Sequence, residues 1–199
     1  MIRKIRLYLD RWNNYKLNLK KRSKIAHALV EWTQVILEAL VLALIIKEFI
    51  IQVSVVPTGS MIPTMIGGRA NQFNDRLIVN KYVYRFGLPK RGDIVVFESP
   101  HKDGKDYVKR CIGLPGETVE LRNGYVYING KELVLVGVDI QRDYSYFGPV
   151  VVPVKHYLML GDNRAMSQDS RFWGYVPEED LIGKAFFTFW PFNRMRVLR

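Results

Sequence analysis

Hydropathy changes character twice along the chain. Residues 1–27 mix scattered apolar positions with a dense run of Lys and Arg. From Ala28 to Ile46 nearly every position is apolar, and Val35 to Ile46 is interrupted only by Glu38. After Lys47 and Glu48 the pattern becomes short β-branched and aromatic runs separated by Gly, Pro and Asn. A bilayer-spanning helix needs about 20 predominantly apolar residues, and residues 28–47 supply them. Glu31, Gln34 and Glu38 are costly there. A carboxylate near the bilayer centre loses about 2.5–3.5 kcal/mol, while each Leu, Ile or Val returns about 0.3–0.6. Glu31 can stay at headgroup level beside Trp32, and Glu38 is expected to be protonated or paired. An amphipathic core or interfacial helix is the competing reading of this segment.

Beyond the helix, Leu77 to Tyr84, Asp93 to Phe97, Tyr107 to Ile112, Tyr157 to Leu160 and Ala185 to Trp190 carry strand-forming residues. The apolar stretch Phe49 to Val56 is a further extended segment. Glu117 to Arg122, Tyr125 to Ile128 and Lys131 to Val136 read as a meander. The pairs Asn123-Gly124 and Asn129-Gly130 between them are strong two-residue hairpin signals. No long amphipathic helix follows. The pattern predicts a mainly β fold, a coiled-sheet or barrel-like body over residues 48–199, behind one N-terminal transmembrane helix. A small second subdomain is expected within 118–155.

Composition narrows this picture. A chain of 199 residues has room for one domain with an appendage. Aromatic content of 13% and charged content of 25% exclude a disordered chain. The single cysteine, Cys111, excludes a disulfide framework and a cysteine-based zinc site. The net charge of +11 is concentrated at one end: residues 1–24 carry nine basic side chains against Asp10, a net +8, and the rest only +3. A basic arm marks either a nucleic-acid contact or the cytoplasmic flank of a membrane helix. The apolar run directly behind it decides for the membrane, so no nucleic-acid partner is expected. The positive-inside rule then keeps the arm, residues 1–27, in the cytoplasm and sends the β body across. The arm is too long for the basic region of a cleavable leader, and no small-x-small site follows the apolar run.

The candidate chemistry begins at Ser60. Pro57, Gly59 and Pro63 hold it in a tight turn after an apolar strand, a setting that exposes a hydroxyl and leaves backbone N–H groups for an anion. Most serines in such turns are plain turn residues, and a nucleophile needs a base. His27 lies on the arm side, His101 reads as a hairpin tip and His156 opens a strand; none has a Ser-His-Asp setting. Lys109 interrupts an apolar strand, sharing a face with Tyr107 and Cys111, while Val108, Arg110 and Ile112 face the other way. A free lysine has a pKa of about 10.4, so about one in 2500 is neutral at pH 7. Acting as a base requires a drop of about 3 units, which burial can supply. Snorkelling or ion pairing is the commoner fate. A third segment, Gly161 to Gly174, is a dense polar loop. Its Asp162, Asn163 and Asp169 do not have calcium-loop spacing; a structural ion pair between Asp169 and Arg171 fits better.

Taken in order, Thr58-Gly59-Ser60-Met61 with Pro63-Thr64-Met65, then Arg91 to Phe97, then Tyr107-Val108-Lys109-Arg110 through Glu117, then Gly161-Asp162-Asn163-Arg164 with Ser167, Asp169, Ser170, Arg171 and Gly174, resemble the motif boxes of the bacterial type I signal peptidases. The resemblance runs from about residue 28 to Asn193, over 80% of the chain. It implies a membrane-anchored serine endopeptidase that removes N-terminal signal peptides from exported preproteins after a small-x-small site, without cofactor or metal. Ser60 would be the nucleophile and Lys109 the general base. The Thr58 hydroxyl and the Ser60 N–H would form the oxyanion hole. Ser167 would orient the lysine, and Asp169 with Arg171 would hold the loop in shape. Val56, Met61, Tyr107 and Val108 flank the dyad where the family lines its shallow substrate pockets. The implied partners are preprotein signal peptides, the lipid bilayer and the secretion machinery, at the plasma membrane. Two rivals remain: a self-cleaving repressor-type Ser/Lys peptidase whose arm binds DNA, and a non-catalytic membrane-tethered binding module. The apolar span argues against the first.

Overall fold

A computed structural model of the chain describes residues 2–70 and 72–198, and the side chains of Ile2, Arg3, Lys4, Tyr8, Leu9, Leu19 and Arg22 lie outside the described residues. Residues 1–48 and 49–199 form two compact units. In the first, α1 (Ile2–Arg22) and α2 (Lys24–Phe49) meet at Ser23. The Ser23 Oγ accepts the Ala26 N–H at 3.3 Å, supplying the side-chain cap that starts α2. The helices fold back on one another, with Trp12 Nε1 and Lys16 Nζ donating to Gln34 Oε1 at 3.1 and 3.3 Å. Gln34 Nε2 donates in turn to Glu38 at 2.7 Å, and Glu31 lies 3.4 Å from His27. The polar positions that burden the apolar segment therefore have partners. None of the 26 residues of α2 is buried, and the helix outruns 28–47 at both ends. It is long and apolar enough to cross a membrane.

The second unit is built from β1 (Ile51–Val55), β2 (Arg76–Asn80), β3 (Ile94–Glu98), β4 (Asp106–Gly113), β5 (Thr118–Arg122), β6 (Tyr125–Ile128), β7 (Lys131–Glu132), β8 (Phe147–Val151), β9 (His156–Leu160), β10 (Val176–Pro177), β11 (Leu181–Trp190) and β12 (Arg196–Val197). One mixed-order antiparallel sheet runs β1-β2-β11-β3-β4-β9-β10, with β12 on β11; a second runs β7-β6-β5-β8. Register shifts interrupt β11 against both β2 and β3. Such bulges bend a strand and raise its twist, and the large sheet curls into a half barrel. The continuous apolar run of β3 follows from burial on both faces: Ile94 and Val96 join Met61, Met65, Leu77 and Val108 in one core, while Val95 and Phe97 join Cys111, Tyr157 and Met159 in another. Full burial of such side chains contributes roughly 1.5–3 kcal/mol each. Burial also pushes the Cys111 thiol up to about 12, which makes it a core residue and not a reactive one.

Three segments depart from the hydropathy reading. Tyr82 to Tyr84 leave the strand because Asn80 Oδ1 accepts the N–H groups of Tyr82 and Val83, turning the chain into the short helix α3 (Val83–Phe86). Leu133 to Val136 leave β7 after Glu132, and Leu133 and Leu135 pack instead against the core beneath the second sheet. Phe147 to Val151, which contains Gly148 and Pro149, pairs as an edge strand, where a residue without N–H is tolerated. The hairpins fall where the Asn-Gly pairs sit, with φ of 52° and 79° at Asn123 and Gly124 and of 50° and 79° at Asn129 and Gly130. Positive φ at both centres is the twist-matched two-residue turn.

Candidate active site

β1 delivers the chain into the serine turn. Past Val55, the Val56 N–H donates to the Asp75 carbonyl at 2.9 Å, and Gly59–Met61 winds one 3-10 turn. Met61 fixes this turn from below, fully buried beside Val56, Met65 and Val108. It belongs to the core and is not among the residues that line the cleft described next. β4 brings Lys109 in from the other side, in register with Val95 of β3. Lys109 is 5% exposed, and its Nζ lies 2.6 Å from Ser60 Oγ. Thr58 Oγ1 lies 3.2 Å from the same oxygen. Burial lowers the Lys109 amine from 10.5 to about 8, against the opposing pull of the Asp169 and Asp162 charges. At pH 7 a pKa near 8 leaves about one lysine in ten neutral.

The loop after β9 closes the site. The Asn163 N–H donates to the Ser60 carbonyl at 3.0 Å. Arg110, next to Lys109 but on the opposite face of β4, gives Nε to Asp162 Oδ1 at 2.8 Å and Nη2 to Oδ2 at 2.6 Å. Thr64 Oγ1 donates to Asp162 Oδ2 at 2.6 Å. Both members of the Arg110–Asp162 pair are 1% exposed, so one desolvated carboxylate joins the serine turn, the lysine strand and the loop through charge-assisted bonds. Gly161 is required by close approach: a Cβ there would collide with Ser167 Oγ and the Ser60 carbonyl oxygen. Asp169 accepts the Gly161 N–H at 3.1 Å and Arg171 Nε at 2.8 Å. Arg171 continues to Asp143 at 2.8 Å and Ser145 at 3.1 Å, beyond the loop. Ser167 is buried, and its Oγ has no hydrogen-bond partner.

A cleft of about 710 Å³ opens over Ser60 and Lys109, between residues 52–56 of the first strand segment and 106–109 of β4. Val56, Tyr107 and Val108 line it, with Thr58, Met166 and Gln168. Both long walls are free strand edges. β1 pairs only with β2, and β9 pairs with β4 from Arg110 onward, so Asp106 to Lys109 pair with β3 alone. No histidine lines the cleft among the described residues.

The family model described as "Signal peptidase, peptidase S26" matches residues 29–190. The chain belongs to this family. "Signal peptidase I" of Leptolyngbya laminosa is 43% identical over 178 residues, covering 85% of this chain and 84% of that protein. "Probable signal peptidase I-2" of Synechocystis is 42% identical over 184 residues, with 90% and 81% covered. "Signal peptidase I P" of Bacillus subtilis subsp. natto is 40% identical over 190 residues, with 89% and 95% covered. Family membership agrees with what the sequence resemblance implied. What sequence reasoning missed are the supports: Thr64 and Arg110 stood in the motif boxes without a role, and Asp143 had no local mark. Arg110 was noted as facing away from Lys109 and as part of a motif box, but an ion pair across 52 positions has no periodicity to betray it.

Proposed function

We propose that this chain removes signal peptides from exported preproteins with a Ser60/Lys109 dyad. The observation that carries the reading is the 2.6 Å separation of a buried lysine amine from a serine hydroxyl in an edge-lined cleft. With the amine neutral, the Ser60 O–H donates to Lys109 Nζ. Ser60 Oγ attacks the scissile carbonyl as Lys109 takes the proton, and the resulting ammonium returns it to the leaving amine. Water then opens the acyl-enzyme with Lys109 again as base. The Thr58 hydroxyl and the Ser60 N–H receive the oxyanion. An extended peptide pairs with the free edges of β1 and β4, the mode of strand addition, and Val56, Tyr107 and Val108 leave room for small side chains next to the dyad.

The localisation follows from the same segments. Residues 1–27 form a cytoplasmic arm, 28–47 the bilayer span, and 48–199 the extracytoplasmic catalytic body, with residues 118–155 as its smaller subdomain. This orientation rests on the net +8 of residues 1–24. Ten residues, 50–59, separate the helix from the nucleophile, so enzyme and membrane-inserted substrate meet at high effective concentration. The bilayer and the secretion machinery are its partners.

Two experiments test these roles. Incubation of the full chain with a preprotein bearing an Ala-x-Ala site should release one mature product, with its N-terminus directly after that site. Replacing the small residue next to the cleaved bond by Trp should abolish release, and cleavage indifferent to that change would defeat the substrate assignment. Ser167 Oγ bonds to nothing in this structure, so its role rests on accepting a hydrogen bond from the Lys109 ammonium formed during the reaction. Ser167→Ala should then lower kcat by about 10-fold or more, while leaving thermal stability equal or higher, because it removes a buried hydroxyl without a partner. Loss of stability with unchanged kcat would make Ser167 structural.

A further inference from the structure

A second cavity lies between the second sheet, the segment 133–142 and the loop after β9. It has a volume of about 190 Å³, apolar walls that include Leu133, Leu135, Val138 and Ile140, and Arg142 and Arg164 as its charged lining residues. Arg164 is 4% exposed. Its Nε donates to the Gly161 carbonyl at 3.0 Å, but Nη1 is buried without a hydrogen-bond partner. Among the described residues Arg164 has no ion pair, whereas its neighbours Arg110 and Arg171 each hold a carboxylate within 2.8 Å. Burial and the nearby Arg171 charge lower the Arg164 guanidinium to about 10, against the opposing pull of the Asp169, Asp162 and Asp143 charges, so it stays cationic at neutral pH. Arg142 stacks over the Tyr125 ring at 4.5 Å to the centroid. The cavity thus has two cations in its wall and no carboxylate.

The Asp169, Asp162 and Asp143 charges act on Arg164 without a direct ion pair and leave Nη1 without a partner; an anion hydrogen-bonded to Nη1 would offset that desolvation. We propose that this cavity binds a small carboxylate bearing a short apolar tail, with the carboxylate on Arg164 and the tail against Leu133, Leu135 and Val138. The volume is below the roughly 300–1,000 Å³ of pockets for larger ligands, which calls for a compact molecule. Phosphate has no tail to place against Leu133, Leu135 and Val138, so it gains less there than a carboxylate with an apolar tail. The bound molecule stands close to the catalytic loop: the Arg164 N–H donates to the Gln141 carbonyl at 2.9 Å, the Gln141 N–H donates to the Asp162 carbonyl at 2.9 Å, and Asn163 holds the Ser60 carbonyl. Occupancy therefore stabilises the loop against opening.

Calorimetric titration of the full chain in nonionic detergent tests the site with three probes: hexanoate, inorganic phosphate and acetyl-Ala-Ala acid. Hexanoate should bind saturably at one site and raise the unfolding temperature. Arg164→Met should weaken that binding by about 10-fold or more, the scale of one charge-assisted bond. Val138→Trp, which fills the cavity and leaves Arg164 in place, should abolish it, and this variant decides the matter if Arg164→Met does not fold. Binding of the dipeptide acid as tight as that of hexanoate would support the site with a peptide C-terminus as its natural occupant; hexanoate alone would support a free acid. Absence of saturable hexanoate binding, equal binding by Val138→Trp, or phosphate binding as tightly as hexanoate would overturn the proposal.

Discussion

Ser60→Ala should reduce hydrolysis of a small-x-small peptide by about 10⁴–10⁶-fold, and adding Lys109→Ala to it should cost almost nothing more. Groups that act as one unit lose their function together, so single and double removals converge. The separation of 2.6 Å between Lys109 Nζ and Ser60 Oγ is what makes a unit of these residues, 49 positions apart in the chain. Initial rates for both single variants and the double variant, with folding checked by circular dichroism, give the complete cycle. Substantial turnover in Lys109→Ala, or losses that multiply in the double variant, would show that the lysine is not the base. A binding module would hydrolyse nothing in any form.

The second large effect concerns pH. With the amine at about 8, kcat/KM should fall about 10-fold for each pH unit below that value and level off above it, since only the neutral amine accepts the Ser60 proton. The same shift acts on stability with a defined sign. Below about 8 the folded and unfolded chains both carry the proton, and the native state bears the full penalty of a buried ammonium. Between about 8 and 10.5 the native lysine has lost its proton while the unfolded one keeps it, so stability rises with pH. The penalty is on the order of 3 kcal/mol for a shift of this size. Lys109→Met should therefore raise the unfolding free energy at pH 7 by up to about 3 kcal/mol while eliminating turnover, and it should erase the rise in stability above pH 8. Denaturant titrations of both forms at pH 7 and 10 measure this. A flat rate profile from pH 6 to 9, or a Lys109→Met variant less stable than the parent at pH 7, would contradict the desolvated amine.

Much of the fold was legible because it is set locally. The helix Lys24–Phe49 follows from a predominantly apolar run with few polar interruptions, and the two hairpins follow from Asn-Gly pairs that accept positive φ. Errors arose where a local signal was read without its competitor. The strand propensity of Tyr82 to Tyr84 yields to hydrogen bonds that the Tyr82 and Val83 N–H groups donate to Asn80 Oδ1, and a strand containing Gly148 and Pro149 is tolerated because it lies on an edge. The position of Met61 in a motif does not say which way its side chain turns, and the structure packs it in the core under the serine turn.

The sequence by itself determined a basic arm, an apolar helix and a β body, each set by local composition, and it singled out Ser60 and Lys109 as candidates whose roles came from the order of motif boxes. Only the tertiary structure decided that Thr64, Arg110 and Asp162 converge on one buried pair, that Gly161 must stay bare against Ser60 and Ser167, and that Arg164 lines a cavity without a carboxylate. The reason is physical. The state of an amine or a guanidinium depends on how much water and charge surrounds it, and that is fixed by strands and loops brought together across 49 to 98 positions of chain.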